Sequence, residues 1–68
     1  GGETREVRIN EFIEVNRETH VVGLREGTML LLENNDLALI GKRKARVFKY
    51  GQEPLELSDE DDFNFLLQ

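Results

Sequence analysis

The chain contains no cysteine and no tryptophan, a single proline, a single histidine and a single serine. Without cysteine there is neither a disulfide scaffold nor a thiolate metal site, which fits a reducing, cytoplasmic setting. No apolar run approaches the ~20 residues that span a bilayer, so no membrane partner is expected. The scarcity of hydroxyl and imidazole groups also limits nucleophilic chemistry. Ser58 stands before Asp59-Glu60-Asp61 and not in a Gly-x-Ser-x-Gly elbow, and it reads as a cap or loop residue. His20 opens an apolar strand with no metal-spaced partner, the pattern of a strand-edge or partly buried histidine more than of a ligand.

At 68 residues the chain is at most one small domain. A domain of that size buries only about 60% of the surface its unfolded chain exposes, so its stability margin is thin. The net charge is −5, unevenly distributed: Lys42-Arg43-Lys44-Ala45-Arg46 is basic, whereas residues 53–62 carry six acids and no base. An acidic protein repels a phosphate backbone, and one short basic cluster is a weak footprint for nucleic acid, so none is expected as a partner. The opening Gly1-Gly2-Glu3-Thr4-Arg5 has neither an initiator methionine nor a signal-peptide core, and reads as the start of a fragment or a processed chain.

Apolar periodicity predicts one helix over 4–16, with Ile9, Phe12, Ile13 and Asn16 on one stripe and Thr4 as N-cap. Arg8 with Glu11 and Glu14 with Arg17 are spaced as surface ion pairs. Short β-like runs follow near 20–24, 29–33, 37–40, 46–50 and 55–57, with Asn34-Asn35-Asp36 supplying a tight hairpin turn. The fold expected of the segment is therefore α+β: an N-terminal helix and a mostly antiparallel meander of four or five short strands. Met29 to Leu32 and Leu37 to Ile40 are nearly continuous apolar runs, which suits strands buried on both faces and asks for more protein than one helix provides. An acidic then apolar tail occupies 58–68. Its Phe63, Phe65, Leu66 and Leu67 either cap the core or remain exposed.

Two positions carry a sharper question. Glu26 lies between two strands beside Gly27, where a carboxylate can orient a histidine brought from elsewhere or simply face solvent in a turn. Arg5 lies in the first turn of a helix, where a cation opposes the helix dipole. That placement is explained if its planar guanidinium is needed to take a carboxylate bidentately; otherwise it is a mild surface penalty.

Three motifs in order, Gly2-Glu3-Thr4-Arg5-Glu6-x-Arg8-Ile9-x-Glu11-Phe12, Val22-Gly23-Leu24-x-Glu26-Gly27-Thr28 and Val47-Phe48-Lys49-x-Gly51-Gln52-Glu53, resemble the C-terminal part of the peptidase E family of α-aspartyl dipeptidases. The resemblance covers 2 to about 57 and leaves the tail uncovered. It implies that residues 1–57 are the C-terminal portion of an α/β domain related to class I glutamine amidotransferases. It also implies a serine peptidase that hydrolyses dipeptides with an N-terminal aspartate and uses no metal or other cofactor. The nucleophilic serine and the basic histidine of such enzymes lie upstream of the "GETR" motif, so neither is present here and His20 matches neither.

On the same resemblance Glu26 matches the proposed triad acid, a role for which an upstream aspartate competes. Arg5 falls where the substrate's aspartate side chain is bound, and Glu3 is suited to receive its free amine. Arg25 departs from the family pattern; a cation there either tunes Glu26 or points to solvent. The implied partners are an Asp-X dipeptide and the remainder of the α/β domain, with homo-oligomerisation left open. The chain alone is expected to be inactive. The alternative reading is a small non-catalytic helix-plus-meander interaction module whose contact surface is the acidic segment and tail.

Overall fold

The computed structural model describes residues 2–67, with side chains from Arg5 to Leu67. Helix α1 spans Gly2–Val15 and is followed by strands β1 (Val21–Gly23), β2 (Met29–Glu33), β3 (Asp36–Ile40), β4 (Ala45–Phe48) and β5 (Leu55–Leu57). A short 3-10 turn, Asn64–Leu67, closes the chain. The architecture is α+β, one helix and then antiparallel strands, as the residue pattern indicates. The strands divide into two sheets, a three-stranded β1-β4-β5 and the β2-β3 hairpin.

Helix α1 begins before Thr4, so Thr4 lies inside its first turn and is not its N-cap. The acids at Glu3 and Glu6 favour this earlier start, because negative charge is stabilising near the positive end of the helix dipole. The helix ends at Asn16, whose backbone amide and side-chain amide both donate to the Phe12 carbonyl, at 3.0 and 2.8 Å. Ile9, Ile13 and Asn16 are half-buried, whereas Phe12 is exposed. Of the two ion pairs read from the spacing, Glu14–Arg17 forms at 3.1 Å; Arg8–Glu11 is not found among the described residues.

The β2-β3 hairpin pairs Met29 with Ile40 through Glu33 with Asp36. Its two-residue loop is Asn34-Asn35, with φ of 51° and 63°, the left-handed pair that matches strand twist in a tight hairpin. Asp36 itself already belongs to β3. β4 begins at Ala45 and ends at Phe48, two residues short of the apolar alternation. There the chain turns through a Gln52 amide bonded to the Lys49 carbonyl and Gly51 at φ 76°.

Register assigns each residue of the three-stranded sheet to a face. Val22 pairs with Val47 and Ala45 with Leu57, whereas Gly23 pairs with Arg46 and Arg46 with Glu56. Because side chains alternate, one face presents Val22, Ala45, Val47, Leu55 and Leu57, and the other Val21, Gly23, Arg46, Phe48 and Glu56. The first face carries the core, where Leu39, Ala45 and Phe63 are fully buried and Leu30, Leu37, Leu57 and Leu66 pack around them.

The tail thus caps the core. Phe63 is 0% exposed, and Asn64 ties the tail to β3 by accepting from the Leu37 amide at 2.7 Å and donating to Asp36 at 2.9 Å. Ser58 is a turn residue whose amide donates to Asp61 Oδ2 at 2.7 Å and whose Oγ accepts from the Glu60 amide. Phe63 is therefore withdrawn from the contact surface named in the interaction-module reading, whereas Asp59 to Asp62 and Leu67 stay exposed.

The outer face of the hairpin is apolar and uncovered by the described residues, the face for which the residue pattern asks for more protein. Met29, Leu31 and Ile40 share that face and are 57, 40 and 45% exposed, so β2 and β3 are covered on one side only by the described residues. No helix among these residues is long and apolar enough to cross a membrane.

Candidate functional site

The charged face of the three-stranded sheet lies beneath helix α1. Between them is an open pocket of about 180 Å³ lined by Arg5, Glu6 and Ile9 of the helix, Gly23, Leu24 and Arg25 at the end of β1, and Arg46 and Phe48 of β4. Ile9, Leu24 and Phe48 form an apolar floor with three guanidinium groups at the rim. Gly23 lies between Arg5 and Phe48: a Cβ there would be in ordinary contact with both, 3.9 Å from Arg5 Nη2 and 3.7 Å from the Phe48 ring. The Arg5 side chain therefore reaches across from the helix to the strand end, one helical turn from the chain's Gly-rich start.

Glu26 follows immediately in the turn that leaves β1. The Thr28 amide and hydroxyl both donate to the Arg25 carbonyl, at 3.1 and 2.6 Å, and Gly27 takes φ 84°. This tight geometry leaves Glu26 exposed, beside the pocket but not among its lining residues. The turn rests on the one after β3: a Cβ at Gly41, φ 128°, would lie 2.7 Å from the Gly27 carbonyl oxygen. Only glycine fits there.

Arg25 goes neither to Glu26 nor freely into solvent. Its fork takes both carboxylate oxygens of Glu56, at 2.6 and 3.0 Å, and one of its nitrogens also donates to the Lys44 carbonyl. Arg46 adds a third bond to Glu56 at 2.8 Å and points its Nε toward Glu6 from 3.5 Å, where that buried nitrogen makes no hydrogen bond. The Glu56 carboxyl is accordingly held at about 2 instead of 4.5, first by the hydrogen bonds from Arg25 and then by those from Arg46, against a smaller opposing effect of burial. The same contact raises the Arg25 guanidinium further above its already high value.

Arg5 thus shares a pocket with Arg25, the residue before Glu26, while Glu26 itself does not line it. Glu3 lies in α1, but its side chain falls outside the described residues. His20 is on the opposite side of the sheet, half-buried and edge-on to Phe65 with ring centroids 5.4 Å apart. No group of three or more His, Cys, Asp or Glu side chains that could hold a metal occurs among the described residues. The basic cluster is split: Lys42, Arg43 and Lys44 are exposed in a loop, while Arg46 is drawn into the ion pairs of the sheet.

The Arg25–Glu56–Arg46 group is absent from the sequence reading, although a signal for it exists. Arg46 sits between Ala45 and Val47, and Glu56 between Leu55 and Leu57, so each is a charge flanked by apolar strand residues. Opposite charges directly across an antiparallel pair are favourable.

The elements together make an α+β segment that presents a cationic, apolar-floored pocket. No protein-family model matches the chain. It is 45% identical over 67 residues to a peptidase E of Nostoc sp., covering 98% of the chain and 28% of that protein. It is 47% identical over 66 residues to a peptidase E of Streptomyces coelicolor, covering 97% of the chain and 27% of that protein. A Drosophila melanogaster protein named "Probable alpha-aspartyl dipeptidase" is 40% identical over 67 residues, again 98% of the chain and 28% of the relative.

The chain is a peptidase-E-like segment, homologous to a C-terminal portion of proteins named peptidase E and alpha-aspartyl dipeptidase. It spans little more than a quarter of the length of these curated relatives. The likeness also takes in the tail, beyond the limit near Leu57 at which the motifs stop, which agrees with Phe63 being a core residue.

Proposed function

We propose that this chain is the C-terminal part of a cytoplasmic serine-type dipeptidase that hydrolyses dipeptides with an N-terminal aspartate. The observation that carries the reading is the placement of Arg5 over Gly23 at an apolar-floored pocket, beside the turn that bears Glu26. In this reading Arg5 takes the substrate's side-chain carboxylate through its planar fork, and Glu3 receives the substrate's amine. A serine and a histidine from the remainder of the α/β domain attack the peptide carbonyl and carry the proton. Glu26, exposed at a strand end, orients that histidine. The chemistry needs no cofactor.

Arg5 is exposed in this segment, and in this reading specificity follows once the remainder of the α/β domain covers the charge pair. A site built around a guanidinium leaves it unpaired when an uncharged isostere binds, and truncating one partner of such a pair costs about 2–5 kcal/mol, or roughly 30- to 5000-fold. In the longer protein carrying this segment, Arg5→Met is expected to reduce kcat/KM for Asp-Leu within that range while leaving Asn-Leu, already a poor substrate, nearly unchanged. Equal loss on both dipeptides would remove Arg5 from the recognition role. The 68-residue chain alone is expected to show no turnover of Asp-Leu, because nucleophile and base are supplied from elsewhere.

A further inference from the structure

One carboxylate, Glu56, holds two guanidinium groups that belong to different parts of the pocket. Arg46 lies directly across from it in the β4-β5 register and forms part of the pocket wall. Arg25 reaches it from a position 31 residues away in sequence, and Arg25 is the residue before Glu26. The fork fixes the Arg25 side chain, the two Thr28 bonds fix its carbonyl, and the close approach of Gly41 to Gly27 fixes the far side of the turn. The turn that carries Glu26 has no pairing of its own within a sheet, so its orientation depends on these ties. Of the three, the fork is the one that links it to the sheet face where the pocket lies.

We propose that Glu56 is a positioning residue for the Glu26 turn: by holding Arg25 bidentately and Arg46 from the side, it sets the direction in which Glu26 is presented at the pocket edge. The proposal rests on the reading of Glu26 as the carboxylate that orients a histidine. Glu56 itself touches neither substrate nor histidine; it acts through Arg25. A carboxylate that accepts three charge-assisted bonds from two fixed donors has little freedom of its own, which makes it a stiff anchor. Replacing it by glutamine preserves its shape, removes its charge and turns one acceptor oxygen into a donor facing two cations.

The test compares Glu56→Gln, Glu56→Asp and the double variant Glu56→Gln/Arg25→Gln with wild type in the longer protein, using Asp-Leu as substrate and amide hydrogen exchange as a second readout. Glu56→Gln is expected to lower kcat by ~10-fold or more with KM changed by less than about threefold, since the affected step is proton transfer and not carboxylate recognition. The double variant, which also removes the Arg25 bond to the Lys44 carbonyl, is expected to lose at least as much as the single one. Glu56→Asp, which keeps the charge, is expected to recover part of the loss. Exchange at the Thr28 amide, which donates to the Arg25 carbonyl, is expected to quicken in Glu56→Gln while the amides of β2 and β3 keep wild-type protection. Unchanged kcat, a loss confined to KM, or unchanged exchange at Thr28 would each overturn the proposal. An inactive wild type whose Thr28 exchange still quickens in Glu56→Gln would overturn the functional reading and uphold the anchoring of the turn.

Discussion

The two faces of the β1-β4-β5 sheet are built from the same three short strands and serve opposite ends. On one face Ala45 is buried in a cluster with Leu39 and Phe63, and Val47 is buried beside it in β4. On the other, one residue along in each strand, Arg46 and Glu56 form a network with Arg25 and Glu6 beneath helix α1. The contrast shows how strand alternation alone separates an apolar, buried face from one that carries a charged, partly exposed network. The dry face supplies the apolar burial, and the wet face can hold a costly arrangement of charges because the strands beneath it are already fixed.

Breaking the dry face should cost most. Phe63→Ala removes a fully buried ring at the centre of the core and is expected to destabilise by about 3–5 kcal/mol, measured by urea unfolding. A value near zero would mean that the tail does not pack as described. The turn support between the faces comes next. Gly41→Ala forces a Cβ toward the Gly27 carbonyl, 2.7 Å away, at a left-handed φ, and is expected to cost about 1–3 kcal/mol in the same assay.

The wet face should respond less. Glu56→Gln leaves two guanidinium groups short of their shared partner in a partly exposed site, with an expected loss of about 1–2 kcal/mol. Its pH signature separates it from the core variants. The Glu56 carboxyl is lowered from 4.5 to about 2, so the folded state binds this proton less readily than the unfolded chain. The stability it contributes is therefore fully present above about pH 4.5 and is lost as pH falls toward 2. Wild type should lose stability across that window, and Glu56→Gln should lose correspondingly less. The smallest effect is expected for Arg17→Ala, whose pair with Glu14 is exposed on both sides and is worth under about 0.5 kcal/mol.

Much of the local structure was legible in the residues. The apolar stripe of α1, the Asn34-Asn35 turn and the alternation through β4 each follow from spacing over a few positions. Arg5 and Glu26 stood out for the same reason, a charge in a place where local rules disfavour it or a carboxylate beside a glycine. Illegible were the role of the tail and the destination of Arg25. Phe63 follows a run of acids that reads as solvated, and its burial depends on the β3 backbone, where the Leu37 amide awaits the Asn64 side chain. The hairpin's apolar content asks for cover on both sides, and its outer face is open among the described residues, because composition reports what a strand can bury and not what lies against it.

By itself the sequence determined the order and kind of the elements and the positions of the tight turns, since each depends on dihedral preference and periodicity within a few residues, whereas Arg5, Glu3 and Glu26 became candidates through the family resemblance. Only the tertiary structure decided that Glu56 unites Arg25 and Arg46 from 31 and 10 positions away, and that His20 stands with Phe65 across the sheet from Arg5. Ion pairs between distant residues leave no periodic trace, and the face on which a side chain emerges is settled by strand register. Register in turn is fixed by which surface the core buries.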